Sequence, residues 1–124
     1  MSYLCTPYLY LSQMNRKDYE IMAPVGSYES LMAAINAGAD SIYFGIEGLN
    51  MRSKSANNFT TEDLYKIAAI CREHDVKSYL TVNTIIYDED LALMRKIIDS
   101  AKDADVSAII AADVAPMLYA RSIG

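Results

Sequence analysis

Glu20–Gly45 reads EIMAPVGSYESLMAAINAGADSIYFG. Glu20–Ala23 is a short apolar run that Pro24 stops. Gly26 frees the backbone, and Ser27 can cap a helix that starts after it. Leu31, Ala34, Ile35 and Gly38 then recur at helical spacing, so one helix face is apolar. Gly38 supplies the left-handed residue that ends such a helix. Ser41–Phe44 is apolar again. The pattern is strand, loop, helix, turn, strand, and two strands joined by a helix run parallel. This unit predicts an α/β fold.

Working outward, the first strand is expected over Tyr19–Ala23, the first helix over Ser27–Ala37 and the second strand over Ser41–Gly45. Glu29 falls in the first helical turn, where a negative charge meets the positive end of the helix dipole. Ile46–Asn58 comes next, IEGLNMRSKSANN, long for a connection between strand and helix. It carries Arg52 and Lys54 against Glu47 alone. Long loops on such scaffolds tend to carry function, and a solvated excursion reads equally well. The next helix opens with Thr60 and Asp63, spaced for a variant capping box, and Phe59 with Leu64 fits a hydrophobic staple. Leu64, Ile67, Ala68 and Cys71 form its apolar face. Cys71 therefore reads as a small core residue rather than a reactive thiol. His74 is the one histidine. Near a helix end it reads as a partner of terminal carbonyls or solvent, not as a base or ligand.

Lys77–Val82 is the third strand, with Asn83 and Thr84 at its carboxyl end. Asp88, Glu89 and Asp90 crowd the next helix start. A metal site is one reading, and the helix dipole is the simpler one. Leu91, Met94, Ile98 and Ala101 give that helix its apolar face, and Lys102 lies near its end. Val106–Ala112 is the fourth strand, with Asp113 after it. Pro116 suits a helix start, and Met117–Ser122 begins a fourth helix.

Composition sets the bounds. The chain has 124 residues, 52% of them hydrophobic, and a formal net charge of -5. That is enough for one core and one domain. An acidic chain does not attract phosphate backbones, which counts against nucleic-acid binding by this chain alone. No apolar run is long enough to cross a bilayer, so no membrane partner is expected. Met1–Gln13 lacks the parts of a secretory signal. It reads as an extension, since Met14-Asn-Arg-Lys would itself make a plausible start. The domain division is thus 1–18 for an amino-terminal extension and 19–124 for the fold. Cys5 and Cys71 make no disulfide framework, which points to a reducing cytoplasm.

The order β-α-β-α-β-α-β-α fits an open doubly wound sheet or part of a barrel. The glycine-rich dinucleotide fingerprint is missing, since Ala23-Pro24-Val25-Gly26-Ser27 is not G-x-G-x-x-G. A complete (β/α)8 barrel needs about 250 residues, and four units in half that length fit half of a TIM-type barrel. Half a barrel leaves two open edges and a concave apolar face. Self-association of two chains is therefore expected, with Tyr3, Leu4, Tyr8, Leu9, Tyr10 and Leu11 covering apolar surface. Sedimentation at micromolar concentration should show a dimer; a stable monomer there overturns this expectation.

Residues 20–59 closely resemble the start of the collagenase-like peptidase family, peptidase class U, number thirty-two. The pieces are Glu20-Ile-Met-Ala-Pro-Val-Gly-Ser27, Ala37-Gly38-Ala39-Asp40-Ser-Ile-Tyr43, Asn50-Met51-Arg52, Ala56-Asn57-Asn58-Phe59 and, later, Val82-Asn83-Thr84. Their joint order and spacing carry the resemblance, which runs from about Tyr19 to Gly124. It implies the opening of a barrel-like domain. Many members are named proteases or collagenases, which implies peptide substrates for a longer parent and an inactive fragment here. Other branches look like enzymes that hydroxylate an RNA base or a quinone ring, which makes RNA an alternative substrate. Those branches hold an iron–sulfur cluster on cysteines downstream of the matched region. This fragment is therefore expected to carry no cofactor. A non-catalytic scaffold is the third reading.

In a barrel the chemistry sits at the carboxyl ends of the strands. The substrate-binding candidates there are Gly26, Ser27, Glu47, Asn50, Arg52, Asn83 and Asp113. Arg52 can pair with a carboxylate or phosphate, Asn83 can orient a substrate through its amide, and the helix N–H groups after Gly26 can receive an anion. The family usually has Asp-Pro-Gly after the fourth strand. Here Asp113-Val114-Ala115-Pro116 departs from it, which leaves the role of Asp113 open. No H-E-x-x-H or G-x-S-x-G motif is present, so no catalytic residue is assigned.

Overall fold

The computed structural model describes residues 15–49 and 58–124. Among these residues four strands form one sheet: β1 (Met22–Pro24), β2 (Ser41–Phe44), β3 (Lys77–Val82) and β4 (Ala108–Ala111). The helices are α1 (Tyr28–Asn36), α2 (Thr61–Glu73), α3 (Leu91–Asp103) and α4 (Val114–Ile123), with short 3-10 turns at Arg16–Asp18 and Asp88–Asp90. All pairings are parallel, and the spatial order is the chain order, β1-β2-β3-β4. A doubly wound sheet reverses its strand order at a switch point. This one does not, and right-handed crossovers in unbroken order put every helix on the same face. That is the arrangement of a barrel wall, here four units of it.

The two faces of the sheet differ accordingly. Ile42 and Phe44 on β2, and Leu80 and Val82 on β3, are buried with Leu31, Leu64, Ile67, Met94 and Ile98 from the helices. Tyr43, Tyr79 and Thr81 alternate with them and are half-buried on the other side. Glu20, just before β1, reaches past β2 to β3, where it accepts from the Tyr79 hydroxyl at 2.6 Å and the Lys77 ammonium at 3.0 Å.

The helices form where capping and periodicity place them. Thr60 Oγ1 accepts from Asp63 N, and the Asp63 carboxylate accepts from Thr60 N at 2.9 Å, so the expected capping box is present. Phe59 and Leu64 are both buried beside it. Gly38 takes φ +86° after α1, as expected. Cys71 is buried on α2, and His74 caps its end with Nδ1 2.9 Å from Ile70 O. β3 has the expected bounds.

Other boundaries shift for identifiable reasons. Pro24 is the last residue of β1 rather than the stop after it. Val25 N donates to Tyr43 O at 2.9 Å, so its neighbour Pro24 directs its backbone away from β2, where the missing N–H costs no ladder bond. α4 begins at Val114 instead of Met117, because Asp113 caps it and Pro116 is accommodated in its first turn. β4 is shorter than Val106–Ala112. Val106 N instead bonds Ala101 O and Ser107 N bonds Ser78 O, which settles the chain from α3 into the sheet.

Successive helices are also joined on their outer side by one kind of bond. The Tyr28 hydroxyl donates to Asp63 at 2.6 Å, linking α1 to the start of α2. Tyr65 donates to Asp103 at 3.1 Å, linking α2 to α3, and Tyr119 to Asp99 at 2.8 Å, linking α4 to α3. Large apolar side chains remain exposed on α4: Val114, Met117 and Leu118 are 61%, 51% and 61% exposed. The apolar segment Met1–Gln13, expected to cover such surface, lies outside the described residues.

Candidate functional site

The carboxyl ends of the four parallel strands share one rim. Its first loop, Val25–Ser27, is fixed at both ends. Val25 is buried and bonded to β2. Ser27 caps α1, and its Oγ accepts from Ser30 N at 3.1 Å. Ser30 replies: its hydroxyl accepts from Gly26 N at 3.1 Å and Ser27 N at 3.0 Å, and donates to Ser27 O at 2.9 Å. Ser27 N and Ser30 N, two of the amides expected to receive an anion after Gly26, thus have partners within the chain itself. Ser27-x-x-Ser30 has capping-box spacing, and that was the signal for it. Gly26 does not take positive φ, and an added Cβ would meet nothing within 4 Å. Neither backbone conformation nor crowding requires a glycine there.

The second loop leaves β2 and returns beside it. Ile46 pairs with Phe59 in a parallel bridge, and Glu47 N donates to Phe59 O at 2.8 Å. Phe59 meets Phe44 edge-on at 6.2 Å and Tyr28 at 5.7 Å between ring centres. Two aromatic contacts and the bridge therefore hold the loop's ends together on a buried base. Gly48 takes φ +117°, and a Cβ there would come within 3.2 Å of Leu93. Here the backbone conformation requires glycine, and a larger residue would in addition press on the Leu93 side chain. The Glu47 side chain is exposed on this side. Asn50 and Arg52 lie outside the described residues.

The third and fourth strand ends are tied together. Asn83 is half-buried where β3 stops. Three residues on, Ile86 N donates to Asp113 Oδ2 at 2.9 Å, while Asp113 Oδ1 accepts from Val114 N at 2.6 Å. These backbone donors, Ile86 first and Val114 next, hold the Asp113 carboxyl below the usual carboxylate range. The adjacent amide, Tyr87 N, donates to Asp90 at 3.0 Å. One member of the acidic trio 88–90 therefore serves the backbone, and the trio forms a 3-10 turn ahead of α3 rather than the first turn of that helix. Thr81 Oγ1 donates to Phe44 O at 3.1 Å, so β3 and β2 are joined just below the rim.

Gly26, Ser27, Glu47, Asn83 and Asp113 all stand on this rim. Of these, the Asn83 segment and Asp113 are brought into bonded connection. Two residues are excluded from reactive roles. Burial pushes the Cys71 thiol up to about 11, so it stays protonated. His74 stands at the far end of α2, toward the amino ends of the strands. Among the described residues no group of three His, Cys, Asp or Glu side chains could hold a metal ion.

A wide hollow of about 1080 Å³ lies on the opposite side, at the amino ends of the strands, lined by Glu20, Asp40, Arg72, His74, Lys77 and Ser107 among others. Its charges are largely engaged with one another. Glu20 holds Tyr79 and Lys77, and Asp40 accepts from Ile21 N at 2.7 Å and from Arg16 at 3.0 Å. In barrels this end serves stability, whereas chemistry collects at the other rim. The self-paired side chains fit that division.

The model of a family described as Peptidase family U32 matches residues 26–123. A collagenase of Porphyromonas gingivalis is 78% identical over 111 residues, which cover 90% of this chain and 27% of that protein. The tRNA hydroxylation protein P1 of Bacillus subtilis is 32% identical over 97 residues, covering 78% of this chain and 23% of that protein. The solved structure of the U32 peptidase Mk0906 superposes with a TM-score of 0.60 at 13% identity, over 76% of this chain and 40% of that one. At that identity the likeness is one of fold. The chain spans about a quarter of the length of these curated relatives.

Proposed function

The chain belongs to peptidase family U32, and on that ground we propose that it forms the opening four units of a collagenase-type protease and supplies one arc of its peptide-binding rim. The observation that carries this reading is the 78% identity to a protein named collagenase, held across 90% of the chain. In this reading the loop at Gly26 and Ser27 offers open space to an extended substrate. Glu47, Asn50 and Arg52 come from the second loop. The Asn83 amide both donates and accepts, which suits a peptide bond. A guanidinium at Arg52 pairs with a substrate carboxylate in two-point fashion. No catalytic residue is assigned in this reading, which gives this part of the molecule the holding of substrate and not the cleavage step.

The test joins this chain to the remaining length of the Porphyromonas collagenase and follows cleavage of heat-denatured collagen. Cleavage is expected, and Arg52→Ala should lower it by about tenfold or more, the loss of one charge-assisted contact. A folded chimaera that leaves collagen intact overturns the reading.

The likeness to a tRNA hydroxylation protein favours a second reading, an enzyme that adds oxygen to an RNA base. The net charge of -5 weighs against RNA contact through this part of the molecule. Among the described residues Cys71 belongs to no group of three His, Cys, Asp or Glu side chains that could hold a metal ion. Mass spectrometry of nucleosides from tRNA incubated with the same chimaera separates the two readings: the gain of one oxygen atom supports the second.

A further inference from the structure

We infer that Asp113 is a positioning residue: its carboxylate fixes the rim segment Asn83–Ile86 against the mouth of the next βα unit. The segment between Val82 and Asp88 has no ladder bonds of its own to place it, because β3 has ended and the 3-10 turn before α3 has not begun. Its backbone is held instead by carboxylates. Ile86 N goes to Asp113 and Tyr87 N goes to Asp90, two neighbouring amides drawn toward the starts of two successive helices. The Asp113 bond bridges 27 residues of sequence, whereas the Asp90 bond is local.

Both carboxylate oxygens of Asp113 are engaged with backbone, Oδ2 with Ile86 and Oδ1 with Val114. Such a group is ionised and occupied, and so is poorly suited to exchange protons with a substrate. It is well suited to hold two elements in register. A neutral amide has a single acceptor oxygen and can serve one of the two donors, whereas the carboxylate serves both. Asn83 stands three residues before the held amide on the same short segment, so release of the tie is expected to reach it. The consequence for substrate rests on the proposed peptide-binding rim; the tie itself does not.

Amide hydrogen exchange, read residue by residue, tests it on the chain itself. Asp113→Ala should speed exchange at Ile86 by about tenfold or more, the factor that accompanies loss of a hydrogen bond to a charged acceptor. Leu80 and Ile42, in the buried sheet, should stay as slow as before. Asp113→Asn leaves one acceptor oxygen for two donors, so exchange should speed at Ile86 or at Val114, whichever the amide fails to serve. The Asn variant also serves if the Ala variant fails to fold. Unchanged exchange at both Ile86 and Val114 in the Asn variant overturns the inference, as does an equal rise at Ile86, Leu80 and Ile42.

A second measurement adds a gelatin-derived peptide to isotope-labelled chain and follows the Asn83 signals. Shifts that weaken in Asp113→Asn support positioning of a substrate contact. Released Ile86 with no peptide-induced shift in the unaltered chain upholds the tie and sinks the rim reading alone.

Discussion

Phe44→Ala is expected to cost about 3–5 kcal/mol, the range for removing a buried aromatic side chain. Phe44 is 1% exposed and lies on β2, in register with Leu80 of β3. Its ring meets Phe59 edge-on, and Phe59 meets Tyr28 in turn. The lost ring would therefore open a cavity beneath three things at once: the sheet, the returning end of the second loop and the start of α1. Small domains have only about 5–15 kcal/mol in hand. A single sheet covered by helices on one face stands toward the lower part of that range, so much of the variant should be unfolded at room temperature. Urea titration followed by circular dichroism measures it. A midpoint displaced by less than about 1 kcal/mol equivalent would mean that the cluster collapses around the gap and that Phe44 does not anchor the junction. Tyr28→Phe keeps the ring stack and deletes one hydroxyl, so its effect should be much smaller.

The second large effect is loss of stability in acid. Four carboxyl groups are held below their ordinary values: Glu20 by the Tyr79 hydroxyl and then Lys77, Asp40 by Ile21 N and then Arg16, Asp63 by Thr60 N and then Tyr28, and Asp113 by Ile86 N and then Val114 N. Glu20 falls furthest, from 4.5 to about 2. A group with a depressed folded value is ionised in both states at neutral pH, and its stabilisation is then complete. As pH falls through the unfolded value, the unfolded chain takes up the proton first and gains on the folded one. The contribution is gone once pH passes below the folded value. For Glu20 the window runs from about 4.5 down to about 2.

Melting temperature should therefore be nearly flat from neutral pH to about 5, then drop steeply toward pH 2. Glu20→Gln should lower it at neutral pH and make the remaining decline shallower. A melting temperature that holds or rises between about pH 4 and 2 would show that these bonds are not kept in solution.

Local chemistry made much of the fold legible. Ser27, Thr60 with Asp63, and Gly38 each act within a few residues of themselves, and each does in the structure what its type and spacing imply. The helical faces around Leu64 and Met94 follow from periodicity alone. The architecture needed one further fact, the unbroken strand order, which no local signal carries. Pro24 misleads for a related reason. Whether a proline can sit in a strand depends on which side its neighbour strand lies, and β1 is the outer strand of the described sheet.

The rim was legible as a set of positions and less so as a set of bonds. Ser30 taking the amides beside Gly26 is a local event, visible in hindsight from its spacing. The approach of Gly48 to Leu93 and the tie from Asp113 to Ile86 join residues far apart in sequence. With one chain and no partner residue announced by pattern, such pairs can be found only once the backbone has brought them together.

The tyrosine–aspartate bonds between successive helices give the molecule a voice of its own. It contains ten tyrosines and no tryptophan, so its ultraviolet emission comes from phenols. A phenol bonded to a carboxylate is dimmed, because on excitation it yields its proton to that neighbour. Tyr28, Tyr65 and Tyr119 each mark a different seam between units, with Asp63, Asp103 and Asp99 as their quenchers. As a seam parts, its own phenol brightens. The wall of the half-barrel thus carries a lamp at every joint, and the order in which the lamps light is the order in which the units come apart.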